Sequence, residues 1–586
     1  MSLLRLALFL LLAAPCFGQY SRGVNLAGAE FGDTKIPGVM NTDYTYNSEG
    51  SFRYFAAKSL TLIRVPIRWE RIQPVLGGPL DSTNLNALKR NITWAKTNGA
   101  KVIIDPHNYG RYKINEGGVL KEYVIDNPYD SVVKVSSADF QDLWVRLSNE
   151  FKAEPAVYAY DLMNEPHDMG KADWKAISQA ALTAIRNNGD NKLVMVPGDA
   201  WSAAHRWPSV HGPTTWISDP ANNFMYEAHQ YFDNDNSGTY KRTYDQELAA
   251  EPNLATLGQT RVAQFVDWCN SNGVRGFLGE FGVPNTDPRW LTVLDNFLSA
   301  LDAAGFDAAY WAAGEWWGNY ALSVQPQSSY TIERPQLWTL LRHLAPGAFT
   351  TVSAASPSGL WLAPDSLVFG YGAGLAGATQ RASALPLPTV LADTQVELTD
   401  SAGMRALAPL VVVSPVQANY LVPGETALGR VNVSVTNKGK VVGAGALYLD
   451  KVAPALFAAN GDGQGVAAAQ IVRMKADGTQ RYEPVARLDA GQNKFVPLPI
   501  DFGEASDRLF LLLYGTGFRN LSGLSGASLQ IGAVTEPLSY AGKQPEFPGL
   551  DQANAELPRS LAGAGEVAVV FKVDGKTANR LALAFR

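Results

Sequence analysis

Two glutamates stand out by where they fall. Glu165 closes the run Tyr160-Asp161-Leu162-Met163-Asn164-Glu165, and Glu280 closes Gly276-Phe277-Leu278-Gly279-Glu280. Each follows a short apolar run with the character of a buried strand. As bare motifs, Asn-Glu-Pro and Gly-Glu are common, and each glutamate taken alone reads equally as a salt-bridged structural carboxylate. As a pair at two strand ends, however, they can divide labour. One carboxyl, protonated, gives a proton to a leaving oxygen, while the other, ionised, attacks carbon. Cleaving a glycosidic bond with retention needs this division, with the groups roughly 5–5.5 Å apart. The attacker then needs a lowered pKa and the acid a raised one. Arg64, ending Leu62-Ile63-Arg64, is the cation that would lower Glu280. A Tyr231 hydroxyl would fix the Glu280 rotamer, and Trp311 offers a flat apolar face to a sugar ring. His107 and His229 follow two other strand-like runs. Asp105 and Glu227, beside them in sequence, read as hydrogen-bonding neighbours of site residues rather than as reacting groups.

Eight strand-like runs supply the frame: 23–26, 62–65, 102–105, 158–163, 193–196, 224–227, 276–279 and 308–311. Helical periodicity fills the gaps, as over 85–97, 139–151 and 260–270. Eight alternations over 250–330 residues predict an α/β fold, a (β/α)8 TIM barrel, whose catalytic groups come from the C-terminal strand ends. A doubly wound open sheet is the alternative, without a Gly-rich phosphate loop to support it. In the barrel, Glu165 ends the fourth strand and Glu280 the seventh.

With these residues in order, 20–345 resembles glycoside hydrolase family 5, especially its secreted endo-β-1,4-glucanases. The carrying segments are Gly23-Val24-Asn25-Leu26-Ala27-Gly28, Arg64-Val65-Pro66, Asp105-Pro106-His107-Asn108-Tyr109, Met163-Asn164-Glu165-Pro166-His167-Asp168, Tyr226-Glu227-Ala228-His229-Gln230-Tyr231, Leu278-Gly279-Glu280-Phe281 and the stretch from Trp311 to Gly318. The resemblance implies Glu165 as acid/base and Glu280 as nucleophile. It implies Asn164 as donor to the sugar 2-hydroxyl, Arg64 and Tyr231 as positioners of Glu280, and His107 and His229 as cleft walls. Trp311, with Trp316 and Trp317, would contact sugar. It implies a β-glucan polysaccharide substrate and no metal or organic cofactor. Glu315, beside Trp316-Trp317, departs from the pattern and puts a sugar contact there in question. Mannan, xyloglucan and mixed-linkage glucan stay open as substrates. A non-catalytic carbohydrate-binding protein is the rival class, disfavoured by the intact glutamate pair.

The 586 residues exceed one core, and the net charge of -6 argues against a nucleic-acid partner. Residues 1–18 read as a secretory signal, with Arg5 followed by apolar Leu6 to Ala14, too short to span a bilayer. A lipid anchor on Cys16 is the alternative. We therefore expect a secreted protein with no membrane association after signal removal. Cys269 is read as a buried structural thiol, while Trp201 and Trp207 fit outer sugar platforms and core equally well.

All 14 Trp fall at or before Trp361. Beyond a catalytic domain at 19–345 and a linker at 346–361, the tail alternates with period two and repeats itself. Tyr371-Gly372-Ala373-Gly374 matches Tyr514-Gly515-Thr516-Gly517, and Gln417-Ala418-Asn419 matches Gln552-Ala553-Asn554. Two Ig-like sandwich modules, 362–445 and 507–586, are expected around an intervening β region at 446–506. The tail also resembles β-domains appended to exported proteins of Acidobacteria-type soil bacteria, on Ser414-Pro415, Leu513-Tyr514-Gly515 and Pro545-Glu546-Phe547-Pro548-Gly549-Leu550. Surface attachment, glycan attachment and a spacer role stay open for it, with the lack of Trp weighing against glycan and Tyr and Phe remaining available.

Overall fold

The computed structural model describes residues 20–327, 330, 332–491 and 494–586. The expected leader at 1–18, with Cys16, lies outside the described residues. Eight strands of the N-terminal half form a ring: β1 Arg22–Leu26, β2 Leu62–Ile67, β3 Lys101–Pro106, β4 Val157–Asp161, β5 Leu193–Pro197, β6 Phe224–His229, β7 Gly276–Glu280 and β8 Asp307–Ala313. Neighbours pair in parallel around the ring, and β8 closes on β1. The closed ring excludes the doubly wound sheet.

Helices between the strands cover the ring, and their ends are set locally. Ser136 and Asp139 form a reciprocal capping box on Ser137–Phe151, while Asp81 and Asp173 accept from the first-turn amides of Ser82–Thr97 and Trp174–Asn187. Ser137–Phe151 buries Phe140, Leu143, Trp144, Leu147 and Phe151, the spacing of one helical stripe.

Strand alternation decides what fills the barrel. Leu62, Ile103, Ala159, Leu193, Met195, Met225, Phe277 and Ala309 form one apolar cluster, the inward layer nearer the N-terminal ends. Two residues further along the same faces come Arg64, Asp105, Asp161, Glu227, Gly279 and Trp311. A period of two thus converts an apolar floor into a charged layer, directly below the strand ends.

The tail is all β, but its divisions differ from the sequence reading. Gly347–Ser353, inside the expected linker, is a strand pairing antiparallel with Leu367–Gly372 and parallel with Lys440–Leu449. A first core gathers around Phe349, Val396, Tyr420, Val433 and Leu447. The 446–506 stretch is divided, its first residues ending the strand Lys440–Leu449 of the first sheet. Its strands Ala469–Met474 and Gln480–Pro484 extend the sheet of Arg508–Thr516, Asp551–Leu557 and Leu538–Lys543, over a second core with Leu511, Phe571 and Phe585. Only pairing between distant strands assigns that stretch to a unit. The repeat itself holds at the level of register: Tyr371 faces Gln417 across one antiparallel pair, and Tyr514 faces Gln552 across the other.

The tail is docked on the barrel. Thr350 Oγ1 donates to the Ala57 carbonyl, Ser59 Oγ to Phe349, and Lys58 Nζ to Pro357. Val352 and Tyr371 join the barrel's main core. Beside Lys58 lies Glu333, hydrogen-bonded by Tyr54 and pushed by burial up to about 7, while burial lowers Lys58. A carboxyl raised in the fold contributes stability present below its unfolded pKa and lost as pH rises through about 7. Glu333→Gln is therefore expected to compare more favourably with the parent in thermal midpoint at pH 8 than at pH 5. Equal shifts at both pH values, followed by calorimetry, would contradict this.

Candidate active site

Arg64 is fully buried at the centre of the charged layer. Its Nε donates to Asp161 Oδ2 at 2.7 Å, its NH2 group to Asn164 Oδ1 at 3.0 Å, and its NH1 group to Asn25 Oδ1 at 3.0 Å and Glu280 Oε1 at 3.1 Å. Asp105 Oδ2 and Glu227 Oε1 lie 3.1 and 3.5 Å from the same guanidinium. One side chain from β2 thus touches groups from β1, β3, β4, β6 and β7.

Above it, Tyr231 donates to Glu280 Oε2 at 2.9 Å, so both carboxyl oxygens of Glu280 have a donor. His229 lies 2.7 Å from Glu165 Oε1 through Nδ1, 3.2 Å from Glu227 Oε1 through Nε2, and 3.6 Å from Glu280 Oε2. Burial opposes its charge, yet Glu280, Glu165 and Glu227 together hold it well above the usual histidine value. As an imidazolium it donates at both nitrogens. Glu165, His229 and Glu280 present ligand-type atoms all within 4.8 Å of one another. With a carboxylate at each ring nitrogen of His229, the group is arranged to hold and pass a proton.

Glu280 departs from expectation. Burial pushes its carboxyl above the usual glutamate value, and Glu165 pushes the same way, against His229 and Arg64. Arg64 pulls it down but does not prevail, because that one cation is divided among four carboxyls. Glu165 itself sits in a left-handed backbone conformation, φ 42°, a strained setting for a non-glycine residue that aims its side chain inward from the strand end.

The aromatic residues separate into different roles. Trp311 stacks on His107 at 5.3 Å and 16°, and His107 Nδ1 is bonded to Asp105 at 2.8 Å. Trp317 packs edge-on to Trp311 and Phe31 and stacks on Tyr320 at 4.3 Å, so it backs Trp311 rather than standing free. Trp316 is exposed. Glu315 is turned away from the cleft. Its Oε1 accepts from Ser48 N, Ser48 Oγ and Ser51 Oγ at the start of helix Glu49–Ala57, where a carboxylate meets unpaired amides. Trp207 is core, among Phe265, Trp268 and Tyr226. Trp201 is 44% exposed and stacks on His167 at 4.6 Å and 12°. It is held out by three consecutive left-handed residues, Ala200 to Ser202. Cys269 is buried, and burial pushes its thiol up.

The structure therefore brings Glu165, Glu280, Arg64, His107, Asn164, His229, Tyr231 and Trp311 to one end of the barrel, with Trp316 and Trp317 on the loop after β8. Asn25, Asp161 and Tyr320 were not singled out from sequence. For the first two a signal existed: a polar residue at an inward position of an otherwise apolar strand.

A closed parallel barrel with a carboxyl-rich site at its C-terminal strand ends is the architecture of a (β/α)8 enzyme. The sequence model of the cellulase family, glycosyl hydrolase family 5, matches residues 21–316, and the chain belongs to that family. Endo-beta-1,4-glucanase A of Emericella nidulans is 32% identical over 332 residues, 56% of this chain and 94% of that protein. Endo-beta-1,4-glucanase B of Aspergillus niger is 31% identical over 52% of this chain and 84% of its own length. Among solved structures, the Pseudomonas stutzeri endoglucanase Cel5A matches at 36% identity and TM-score 0.49, covering 56% of this chain and 94% of that one.

Gly279 makes the site possible. A Cβ there would sit 1.8 Å from Glu227 Oε1 and 3.0 Å from His229 Nε2. Gly279→Ala is expected to displace both and lower kcat by at least about 100-fold, roughly 3 kcal/mol of transition-state stabilisation. The circular dichroism of the barrel should persist. Retained activity would show that Glu227 and His229 can move without consequence.

Proposed function

We propose that this chain is an exported, retaining endo-β-1,4-glucanase, with Glu280 as nucleophile and Glu165 as acid/base. The observation that carries the reading is the Glu165–Glu280 pair at the ends of β4 and β7, with oxygens within 4.8 Å. That spacing suits direct attack and leaves too little room for the water of an inverting enzyme. A Glu280 oxygen attacks the anomeric carbon as the bond to the leaving oxygen breaks and Glu165 delivers its proton there. Water then attacks the glycosyl ester, giving a proton back to Glu165 and releasing Glu280. Negative charge passes from Glu280 to Glu165 in the first step, and the His229 cation, 3.6 Å from one and 2.7 Å from the other, serves both states. Asn164 Nδ2 is buried without a partner, which suits donation to a sugar hydroxyl. Trp311 and the exposed Trp201 supply flat faces for sugar rings. The names of the relatives favour β-1,4-glucan over mannan, xyloglucan or mixed-linkage glucan, and the leader-like 1–18 supports export.

Proton NMR of cello-oligosaccharide cleavage should show the β-anomer first; initial α-anomer would overturn retention. Glu280→Ala should lower kcat at least about 1000-fold, which a binding protein would not register. Because Glu280 attacks ionised and is held above the usual value near 4.5, kcat/KM should fall on acidification at a pH above that value. Tyr231→Phe, removing a donor to the anion, should move this limb higher still.

We further propose that the outer face of the second tail unit holds glycan. Cross-strand neighbours place Tyr482, Val472, Phe510 and Glu556 in one row and Gln470, Leu512, Asn554 and Tyr540 in the next. Tyr482 and Phe547 are 61% and 60% exposed. A cavity of about 720 Å³ lies against Gln470, Tyr514, Gln544, Glu546 and Phe547. Aromatic faces beside amides suit a neutral polyhydroxyl chain. In full-length chain carrying Glu280→Gln, the added pair Tyr482→Ala and Phe547→Ala should weaken retention on insoluble cellulose about tenfold. In an otherwise parental chain the pair should leave hydrolysis of short soluble oligosaccharides unchanged. Undiminished retention would remove this role.

A further inference from the structure

Arg64 is faced by more carboxyls than it can neutralise. Asp105, Asp161, Glu227 and Glu280 all lie within 3.5 Å of it, with side chains 0–6% exposed. His229 adds a second cation but also faces Glu165 from the loop after β4, Glu227 on its own strand and Glu280 from β7. His107 on β3 is bonded to Asp105. Five carboxyls around Arg64 and His229 leave an uncompensated buried charge, which is costly unless a proton is taken up.

The hydrogen bonds indicate where that proton resides. Both Glu280 oxygens have donors, and Asp105 Oδ2 is shared between Arg64 and His107. Asp105 Oδ1, Asp161 Oδ1 and Glu227 Oε2 are all buried without a hydrogen-bond donor, but of these carboxyls only Asp161 and Glu227 are within hydrogen-bonding reach of each other. Asp161 Oδ2 is taken by Arg64 Nε, and Glu227 Oε1 by His229 Nε2. Two carboxylates in contact do not both ionise, as in the dyads where one acid keeps a proton. Gly279 provides the space that lets Glu227 approach.

We propose that Asp161 and Glu227 share a single proton, carried by Asp161 and donated to Glu227, and that this pair positions Arg64 and His229 under the reacting carboxyls. Asp161 and Glu227 are positioning residues; neither touches sugar. Burial and the neighbouring Glu227 push Asp161 well up, against Arg64. Burial opposes ionisation of Glu227, but Arg64 and His229 hold it below its usual value. The pair thus counts as one anion: Arg64 keeps charge available for Glu280, and His229 keeps its proton. The proposal rests on the Glu165 and Glu280 assignment only for its kinetic readout.

Asp161→Asn distinguishes a neutral acid from an ion-pair partner. Its amide oxygen can accept from Arg64 Nε and its amide N–H can donate to Glu227, so it should keep at least about tenfold more kcat than Asp161→Ala, with an unmoved acid limb. Asp161→Ala, lacking the donor, should lose roughly 100-fold. Glu227→Gln removes the anion that supports the His229 proton, so the alkaline limb of kcat/KM should move to lower pH. The idea fails if Asp161→Asn, with a parental thermal midpoint, loses more than about tenfold and moves the acid limb down, as deleting a true anion near Glu280 would do. Neutron diffraction from the parent protein reads the same point without a variant or a substrate. A hydrogen between Asp161 and Glu227 is expected, and its absence would overturn the proposal even if the enzyme proves to be a retaining glucanase.

Discussion

A guanidinium sealed from water must be compensated by anions and hydrogen-bond acceptors, and Arg64 meets that demand with groups from five other strands. Removing Arg64 would strand several buried carboxyls, which costs far more than an exposed ion pair contributes. The requirement runs both ways. The barrel must close in its observed register for the partners to converge, and the convergence then fixes Glu280 from below while Tyr231 fixes it from the side. Placement of the reacting carboxyls is in this sense a consequence of satisfying one buried cation.

Electrostatics in such a layer are collective. Glu280 does not simply inherit a low pKa from its arginine, because Asp105, Asp161 and Glu227 draw on the same charge. His229 is a cation because three carboxyls surround it, despite full burial. The same crowding explains why the glycine before Glu280 carries no side chain: its Cβ would occupy the place of the Glu227 carboxyl.

The aromatic residues show how position in a loop misleads. Trp316 and Trp317 are adjacent in sequence, yet one is exposed and the other is packed behind Trp311 against Phe31 and Tyr320. Glu315 is drawn off to the amide-rich start of a helix. In the tail, the strand at Gly347–Ser353 joins barrel and β region through side chains and register together, with Val352 packed into the barrel core.

The sequence by itself determined the eight strands, their order and the strand ends carrying Glu165 and Glu280. Local period and apolar content are properties of a few consecutive residues, and they survive without knowledge of neighbours. It also exposed the tail repeat, because Tyr371 and Tyr514 each mark the same register against a Gln-Ala-Asn strand. Tertiary structure alone decided that Asp161 and Asn25 belong to the Arg64 cluster and that Glu280 is pushed up rather than down. It alone assigned the strands between 455 and 484 to the second sheet and Glu315 to a helix start. Each of these depends on how many groups from distant segments share one small, dry volume. That number is set by strand pairing and barrel closure, which no stretch of sequence contains. The glutamates that reveal themselves first thus owe their environment to residues nearly silent in the chain.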